Sequence, residues 1–164
     1  MPKVHPELLR SGDAIAIQAA EALVKAMTTP DWGVKKFQSG KMTRKLEAGL
    51  LAYASIPEVK QVLEAIQTKQ PIDGRLSHYV KRRFLEKEAM DTPDDLDRWF
   101  ENVLSDRNAQ VIKPNSGPGS RYLIYSDQYH LLAVIEKDGR RVSTHDHDGV
   151  DLGEIWCLLS DLLL

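Results

Sequence analysis

The sequence predicts an α+β fold in which a helical region of about five helices precedes a small antiparallel β-meander and a C-terminal helix. Apolar residues recur at helical spacing over most of the chain up to about residue 104. Tyr, Leu, Val and Ile, which suit a pleated sheet, dominate two runs between residues 121 and 136. Asp138-Gly139 then supplies the tight turn of a hairpin. Hydrophobic and charged contents of 42% and 28% fit a globular protein.

Start and stop signals place the helices. Ser11 or Asp13 can cap a helix that runs to about Met27, where the sequence Thr-Thr-Pro ends it. A second helix follows Gly40, and a third has Pro57 in its first turn. The fourth is expected at about residues 76–89, and the fifth opens with a capping Thr followed by Pro and two Asp at residues 92–95.

Four strands are expected after the fifth helix, and the sheet they form should pack against helices. They are predicted at residues 110–113, 121–126, 129–136 and 141–145. A Pro-, Gly- and Ser-rich surface loop at residues 114–120 joins the first two. Residues 151–154 resemble a capping box, so we expect the final helix to start there and to place Ile155, Trp156 and Leu159 on the sheet.

A domain boundary is expected near residues 90–93. It would separate a helical region, residues 1–91, from an α+β domain, residues 92–164, with a single shared core as the alternative. Cys157 is the only cysteine, which excludes an internal disulfide. No apolar run approaches the roughly 20 residues that a membrane span needs, and no secretory signal precedes the first helix. We therefore expect a cytoplasmic protein, or one delivered into the cytoplasm of a target cell.

Charge is distributed unevenly although the net charge is only −2. Basic residues cluster at residues 35–45 and again around Lys81, Arg82 and Arg83, whereas residues 142–164 hold five acidic residues and no Lys or Arg. Such asymmetry can mark a surface for an anionic partner such as RNA, with Lys81, Arg82, Arg83 and Lys113 as binding residues. Solvated helix faces explain the basic clusters equally well.

The polar segment at residues 143–148, Ser-Thr-His-Asp-His-Asp, brings hydroxyl, imidazole and carboxylate groups to the end of the predicted sheet. On a strand, His145 and His147 point to one face, and Thr144 and Asp146 to the other. Same-face histidines can bind a transition metal, but no distant third ligand is evident in the sequence, so we expect neither a metal nor another cofactor.

RNA cleavage through the ribose 2′-hydroxyl is the second interpretation of this segment. It requires a base, an acid and a cation for the phosphate. Histidine can serve the first two roles near neutral pH, and arginine or lysine the third. Arg121, His130, Thr144 and His145 all lie on or beside the predicted sheet, and we expect them to form the catalytic group.

A resemblance adds to this expectation. The segment from about Leu96 to Asp148 contains a helix ending FENVLSDRNAQVI, the strands RYLIYSDQYHLLAVIEKDGRRV and the polar end STHDHD. It resembles the nuclease fold shared by barnase, EndoU, the tRNA-cleaving colicins and RelE, especially the small versions in phage and polymorphic bacterial toxins. The resemblance implies a helix packed on a twisted antiparallel sheet and metal-independent RNA cleavage. It places Arg121 on the first long strand, and Thr144 with His145 on the last.

The expected function is therefore a metal-independent ribonuclease, a bacterial or phage-type toxin acting on tRNA or other RNA, with a cognate immunity protein or antitoxin as partner. The main alternative is a non-enzymatic binding protein, such as an immunity protein, chaperone or inhibitor, whose acidic surface meets a protein partner. A sequence pI of 6.2 suits the alternative better. A nucleic-acid-binding regulator that uses residues 81–83 on a helix is the third class.

Overall fold

The structure is a computed structural model that describes residues 2–37, 40–114 and 121–164. The chain forms two compact units, which are described separately. The sheet unit comprises Met1–Asp31 and Asp97–Leu164, and the helical unit comprises Trp32–Leu96. The first 31 residues thus join the sheet, whereas the sequence grouped them with the other helices. Among the described residues, no helix is both long enough and apolar enough to cross a membrane.

The sheet unit contains five antiparallel strands and the helices that cover one face of them. Its helices are α1 (Pro6–Ser11), α2 (Ala14–Thr28), the part of α6 (Asp94–Ser105) that follows Leu96, and α7 (Leu159–Leu162). Its strands are β3 (Gln110–Ile112), β4 (Tyr122–Ser126), β5 (Leu131–Ile135), β6 (Arg141–Asp146) and β7 (Ile155–Leu158), in the order β6-β5-β4-β3-β7. The α+β class and the antiparallel meander are confirmed.

The strand register separates an inner face of the sheet from an outer face. Cross-strand partners share a face, and the row that contains Val111, Ile124, Ala133 and Thr144 is fully buried. This inner face meets α2 and α6, whose buried side chains include Leu23 and Phe100. The outer face carries the row of Leu158, Gln110, Tyr125, Leu132 and His145.

The helical unit contains α3 (Gly40–Leu50), α4 (Pro57–Thr68), α5 (Gly74–Val80) and a two-stranded sheet of β1 (Val34–Lys35) and β2 (Ile72–Asp73). The helix at Pro57 begins as predicted. The predicted fourth helix is shorter than expected, because α5 passes into a π-helical segment, Lys81–Leu85, and ends there. The apolar core of the helical unit includes Leu50, Val62, Ile66, Val80 and Met90.

The end of the chain corrects one expectation. A C-terminal helix is present, but it does not start at residues 151–154, because Ile155–Leu158 form strand β7 beside β3. The β-branched and aromatic residues of this segment suit a strand. The acidic capping residue is Asp161, whose Oδ2 accepts the Leu158 N–H at 2.9 Å. The predicted loop at residues 114–120 lies outside the described residues apart from Pro114.

Arg141 connects the sheet to two helices. A bulge in β6 pairs Ile135 with Arg141 but Val134 with Ser143, so Val142 is an extra residue and Arg141 turns to the inner face. Its side chain is fully buried, and its Nε and Nη2 donate to the Ala26 carbonyl at 3.2 and 2.9 Å. Nη2 also donates to Glu101, and the guanidinium lies 5.0 Å from the centre of the Phe100 ring.

Replacing Arg141 should destabilise the fold. Arg141→Met leaves the Ala26 carbonyl without these donors, and we expect the free energy of unfolding to fall by about 2–3 kcal/mol. Urea unfolding followed by tryptophan fluorescence measures this change. The matched control is Arg140→Met at the adjacent exposed arginine, for which we expect a change within about 0.5 kcal/mol. Equal stability of the two variants would contradict the structural role of Arg141.

Candidate functional site

An open depression at one end of the sheet brings together two imidazoles and two carboxylates. It is lined by His130, Asp146, His147 and Asp148, has a volume of about 540 Å³, and is called the histidine pocket below. His130 ends the turn between β4 and β5, while the other three residues lie where β6 ends. The two segments are joined by the His147 N–H, which donates to the His130 carbonyl at 3.0 Å.

The turn that carries His130 is anchored from beneath. The Ser126 hydroxyl donates to Asp106 Oδ2 at 2.7 Å and accepts the Tyr129 N–H at 3.3 Å. Asp106 and Ser126 are both buried. The backbone of His130 has φ = 54°, in the left-handed region that residues with a Cβ adopt only at a cost in conformational energy. The anchored turn therefore holds His130 at the pocket despite this strain.

A hydrogen bond indicates which tautomer the neutral His147 ring adopts. The Gly149 N–H donates to His147 Nδ1 at 2.9 Å, so Nδ1 carries no proton and the neutral ring carries its proton on Nε2. Asp148 Oδ1 lies 3.5 Å from the same Nδ1, and this separation becomes an ion pair only if the ring is protonated.

Tyr125 forms the buried side of the cluster. Its phenol oxygen lies 3.4 Å from Asp127 Oδ1 and 3.5 Å from His130 Nδ1, and its ring meets the His147 ring edge-on with centroids 6.2 Å apart. Burial raises the pKa of the Tyr125 phenol, and the negative charges of Asp127 and Asp148 raise it further. The phenol is therefore a protonated donor at neutral pH.

An acidic loop, residues 147–154, crosses the outer face from β6 at one edge of the sheet to β7 at the other. Gly149 (φ = 82°) lies against Tyr125, where an added Cβ would come within 3.0 Å of the ring. Gly153 (φ = 112°) approaches Ile112 in the same way. Between the two glycines, Val150 and Asp151 are exposed. The loop thus displays Asp148, Asp151 and Glu154 above the sheet.

The structure divides the predicted catalytic group. His130 lines the histidine pocket, and His145 lies beside it, with its ring 6.3 Å from that of His147. Thr144 is fully buried on the inner face, so its hydroxyl does not reach the outer face where His145 lies. Arg121 precedes β4, whereas His130 follows the turn at the other end. Ser126 is five residues further along the strand than Arg121, which is a distance of roughly 16 Å.

Arg121 lies instead with Lys113. Both line a second depression, of about 550 Å³, together with Glu154 and the apolar side chains of Ile112 and Leu123. Each cation faces a carboxylate there: Arg121 Nε lies 2.9 Å from Glu136, and Lys113 Nζ lies 3.6 Å from Glu154. The cation that phosphate chemistry requires is therefore separated from the histidines.

The basic residues of the helical unit differ in exposure. Arg82 is only 6% exposed, whereas the predicted RNA-binding group needs Lys81, Arg82 and Arg83 all at the surface. The π-helical segment inserts an extra residue into each turn, and Arg82 turns inward there. Arg83 is exposed and lies over the Phe84 ring at 5.5 Å, and Lys81 is 4.0 Å from Glu86. A continuous basic stripe of three side chains is not formed.

Two other chemistries can be judged from the described part of the chain. It contains no group of three or more His, Cys, Asp or Glu side chains arranged to hold a metal ion. Burial, assisted by Asp161, raises the pKa of the Cys157 thiol to about 11, so this thiol is not a thiolate nucleophile at neutral pH. The histidine pocket itself offers imidazoles, which can transfer protons, and carboxylates, which can bind a positive charge.

The sequence did not predict that Asp146, His147 and Asp148 line a pocket together with His130. The alternation of the segment indicated which histidines share a face, but the pairing of β6 with the turn at His130 is a long-range feature. No family model, curated protein or solved structure matches this chain. The resemblance to the barnase-like nucleases therefore stays a prediction.

The pKa of Tyr125 leads to a test. Above about pH 10 the unfolded phenol loses its proton while the folded phenol keeps it, so the stabilisation present below that pH is lost as pH rises. We expect the free energy of unfolding to fall with pH by up to about 1.4 kcal/mol per unit from this group alone. Urea unfolding between pH 9 and 11 should show a shallower fall for Tyr125→Phe than for the control Tyr129→Phe; equal slopes would contradict the assignment.

Proposed function

We propose that this chain is a non-enzymatic binding protein whose acidic loop associates with a positively charged protein partner. The observation that carries the proposal is the placement of the loop across the outer face of the sheet. The side chains of Asp148 and Glu154 are 78% and 72% exposed, and residues 142–164 contain no Lys or Arg. A surface whose charges are mostly of one sign accelerates association and selects partners of the opposite charge.

The acidic loop packs against the sheet at two glycines. Gly149 and Gly153 bring the loop backbone close to the side chains of Tyr125 and Ile112, and Asp148 Oδ1 accepts the Val150 N–H at 2.9 Å. Charges that are already in place lose little entropy on binding. An immunity protein, a chaperone or an inhibitor of a basic protein fits this arrangement, and a cytoplasmic site of action stays a prediction.

The test neutralises the loop without disturbing it. Asp148→Asn keeps the acceptor for the Val150 N–H, and Asp151→Asn suits the left-handed backbone at φ = 61°. With Glu154→Gln added, three exposed charges are lost, and we expect partner affinity to fall about 10- to 100-fold. Pull-down of the tagged protein from its own cells, with the binding constant then measured on the purified pair, reads out the effect.

The control variant neutralises two exposed acids elsewhere in the sheet unit, Glu7→Gln with Glu21→Gln, and should retain the partner. Raising the salt concentration should weaken the wild-type complex and leave the loop variant nearly unchanged. Equal affinity of the loop variant and the control variant, or a partner that is itself acidic, would overturn the proposal.

A metal-independent ribonuclease is the second candidate, and the histidine pocket favours it. His130 and His147 could serve as base and acid, and Tyr125 as a hydrogen-bond donor. The charges oppose it, because a phosphodiester at the pocket meets Asp146 and Asp148 while Arg121 lies at the other end of β4. Each carboxylate at about 4 Å costs on the order of 1 kcal/mol even in bulk water. A toxin acting on tRNA belongs to this second candidate.

His130→Asn and His147→Asn test the ribonuclease candidate. Asparagine tolerates the left-handed backbone of residue 130, and at residue 147 its side-chain oxygen can accept the N–H two residues later, as His147 does now. If the chain cleaves RNA in buffer containing a chelator, each variant should lose about 100-fold or more in rate, and His5→Asn should lose nothing. Intact RNA after prolonged incubation with the wild-type protein would exclude this candidate.

A further inference from the structure

We infer that the partner adds an extended segment to the outer edge of β7, which pairs with no second strand among the described residues, and that this segment carries Lys or Arg beside apolar residues. The inference rests on the proposed function and names how the same partner is held. In the five-stranded sheet, β7 is an edge strand that pairs with β3 on one side. An exposed strand edge is a template for strand addition by another chain.

The ladder with β3 shows which groups face outward. Glu154 O accepts the Lys113 N–H at 2.7 Å, and the Leu159 N–H donates to Ala109 O at 2.8 Å, so residues 154 and 159 face β3. Successive residues of an antiparallel ladder alternate in direction, and Ile155 and Leu158 therefore direct their main-chain groups away from β3. Asp161 already accepts the Leu158 N–H. Leu158 is also the N-cap of α7, so its carbonyl belongs to the first turn of that helix. The N–H and the carbonyl of Ile155 are therefore the groups that an added strand would meet.

The same two residues expose apolar side chains. Ile155 is 52% exposed and Leu158 is 37% exposed, and both are large apolar residues at the ends of a four-residue strand. Their exposure would be relieved by apolar residues on an added strand. Hydrogen bonding and apolar contact thus coincide on one edge, which is the combination that strand addition uses.

Charge selects the kind of segment. Asp151 and Glu154 precede β7 and Asp161 follows it. Of these three acids, Glu154 lines a depression together with Lys113 and Arg121, and Lys113 Nζ lies 3.6 Å from it. The edge continues directly from the acidic loop, so one partner can contact both. A second copy of this chain is disfavoured, because antiparallel pairing of two β7 strands brings Glu154 of one copy toward Asp161 of the other. A basic segment would place its cations beside these carboxylates.

The experiment uses the full chain and a short labelled peptide of alternating lysine and valine as the probe. We expect binding in fluorescence anisotropy, and protection of the Ile155 amide in hydrogen exchange followed by NMR. The same peptide with N-methylated valines cannot donate those main-chain hydrogen bonds, and its affinity should fall about tenfold or more. A glutamate–valine peptide should not bind.

A variant of the chain gives the complementary measurement. Ile155→Pro removes the outward N–H at a position where an edge strand tolerates proline, while Ile155→Thr keeps the N–H and removes apolar surface. We expect the proline variant to lose the peptide and the threonine variant to bind within about threefold of wild type. The N-methyl comparison uses wild-type protein alone, so it decides the question even if the proline variant fails to fold.

The outcomes separate this inference from the proposed function. Equal binding of the methylated and unmethylated peptides, abolished by neutralising Asp148, Asp151 and Glu154, would overturn strand addition and leave the acidic surface as the binding site. Methylation-sensitive binding that is unaffected by that neutralisation would support strand addition and contradict the proposed role of the loop. No binding of the lysine–valine peptide up to about 1 mM would overturn the inference outright.

Discussion

The guanidinium of Arg141 is the constraint on which the sheet unit depends. A buried positive charge must find acceptors, and here they are the Ala26 carbonyl at the end of α2 and the Glu101 carboxylate on α6. The carbonyls of a helix's last turn lack intrahelical donors and carry partial negative charge, so an arginine satisfies them well. One side chain thus sets where β6 lies relative to both helices, and the bulge at Val142 is what turns it inward.

The position of β6 then decides what each face of the sheet can do. With Arg141 and Thr144 inward, His145 lies on the outer face, and the strand ends where Asp146, His147 and Asp148 meet the turn at His130. The cations Arg121 and Lys113 lie at the other end of the strands, each beside a carboxylate. These two cations are therefore separated from the carboxylates of the histidine pocket. This separation is the physical reason for placing recognition of positive charge ahead of phosphate chemistry.

Local signals predicted much of the fold, and long-range pairing explains what they missed. Proline at residue 57, the Asp-Gly turn at residues 138–139 and the capping Asp13 act within a few residues, and each placed its element correctly. The segment Ile-Trp-Cys-Leu-Leu reads equally as strand or helix, and its pairing with β3 decided the matter. The alternation of β6 indicated that Thr144 and His145 point to opposite faces, but it did not indicate that the face of Thr144 is buried, and Thr144 was expected in the catalytic group. By contrast, the bulge that re-aims Arg141 has no local sequence signal, and neither does the meeting of His130 with His147.

Residues of the acidic loop differ in whether they face the sheet or the solvent. Gly149 and Gly153 have positive φ and lie close to side chains of the sheet, so a larger residue at either position would be strained, whereas Val150, 57% exposed, lies between them in solvent. A change at Val150 alters what an approaching molecule meets without requiring the backbone to move. Binding preference could therefore drift through this single position during evolution while the fold beneath stays the same, much as a variable loop does on a constant scaffold.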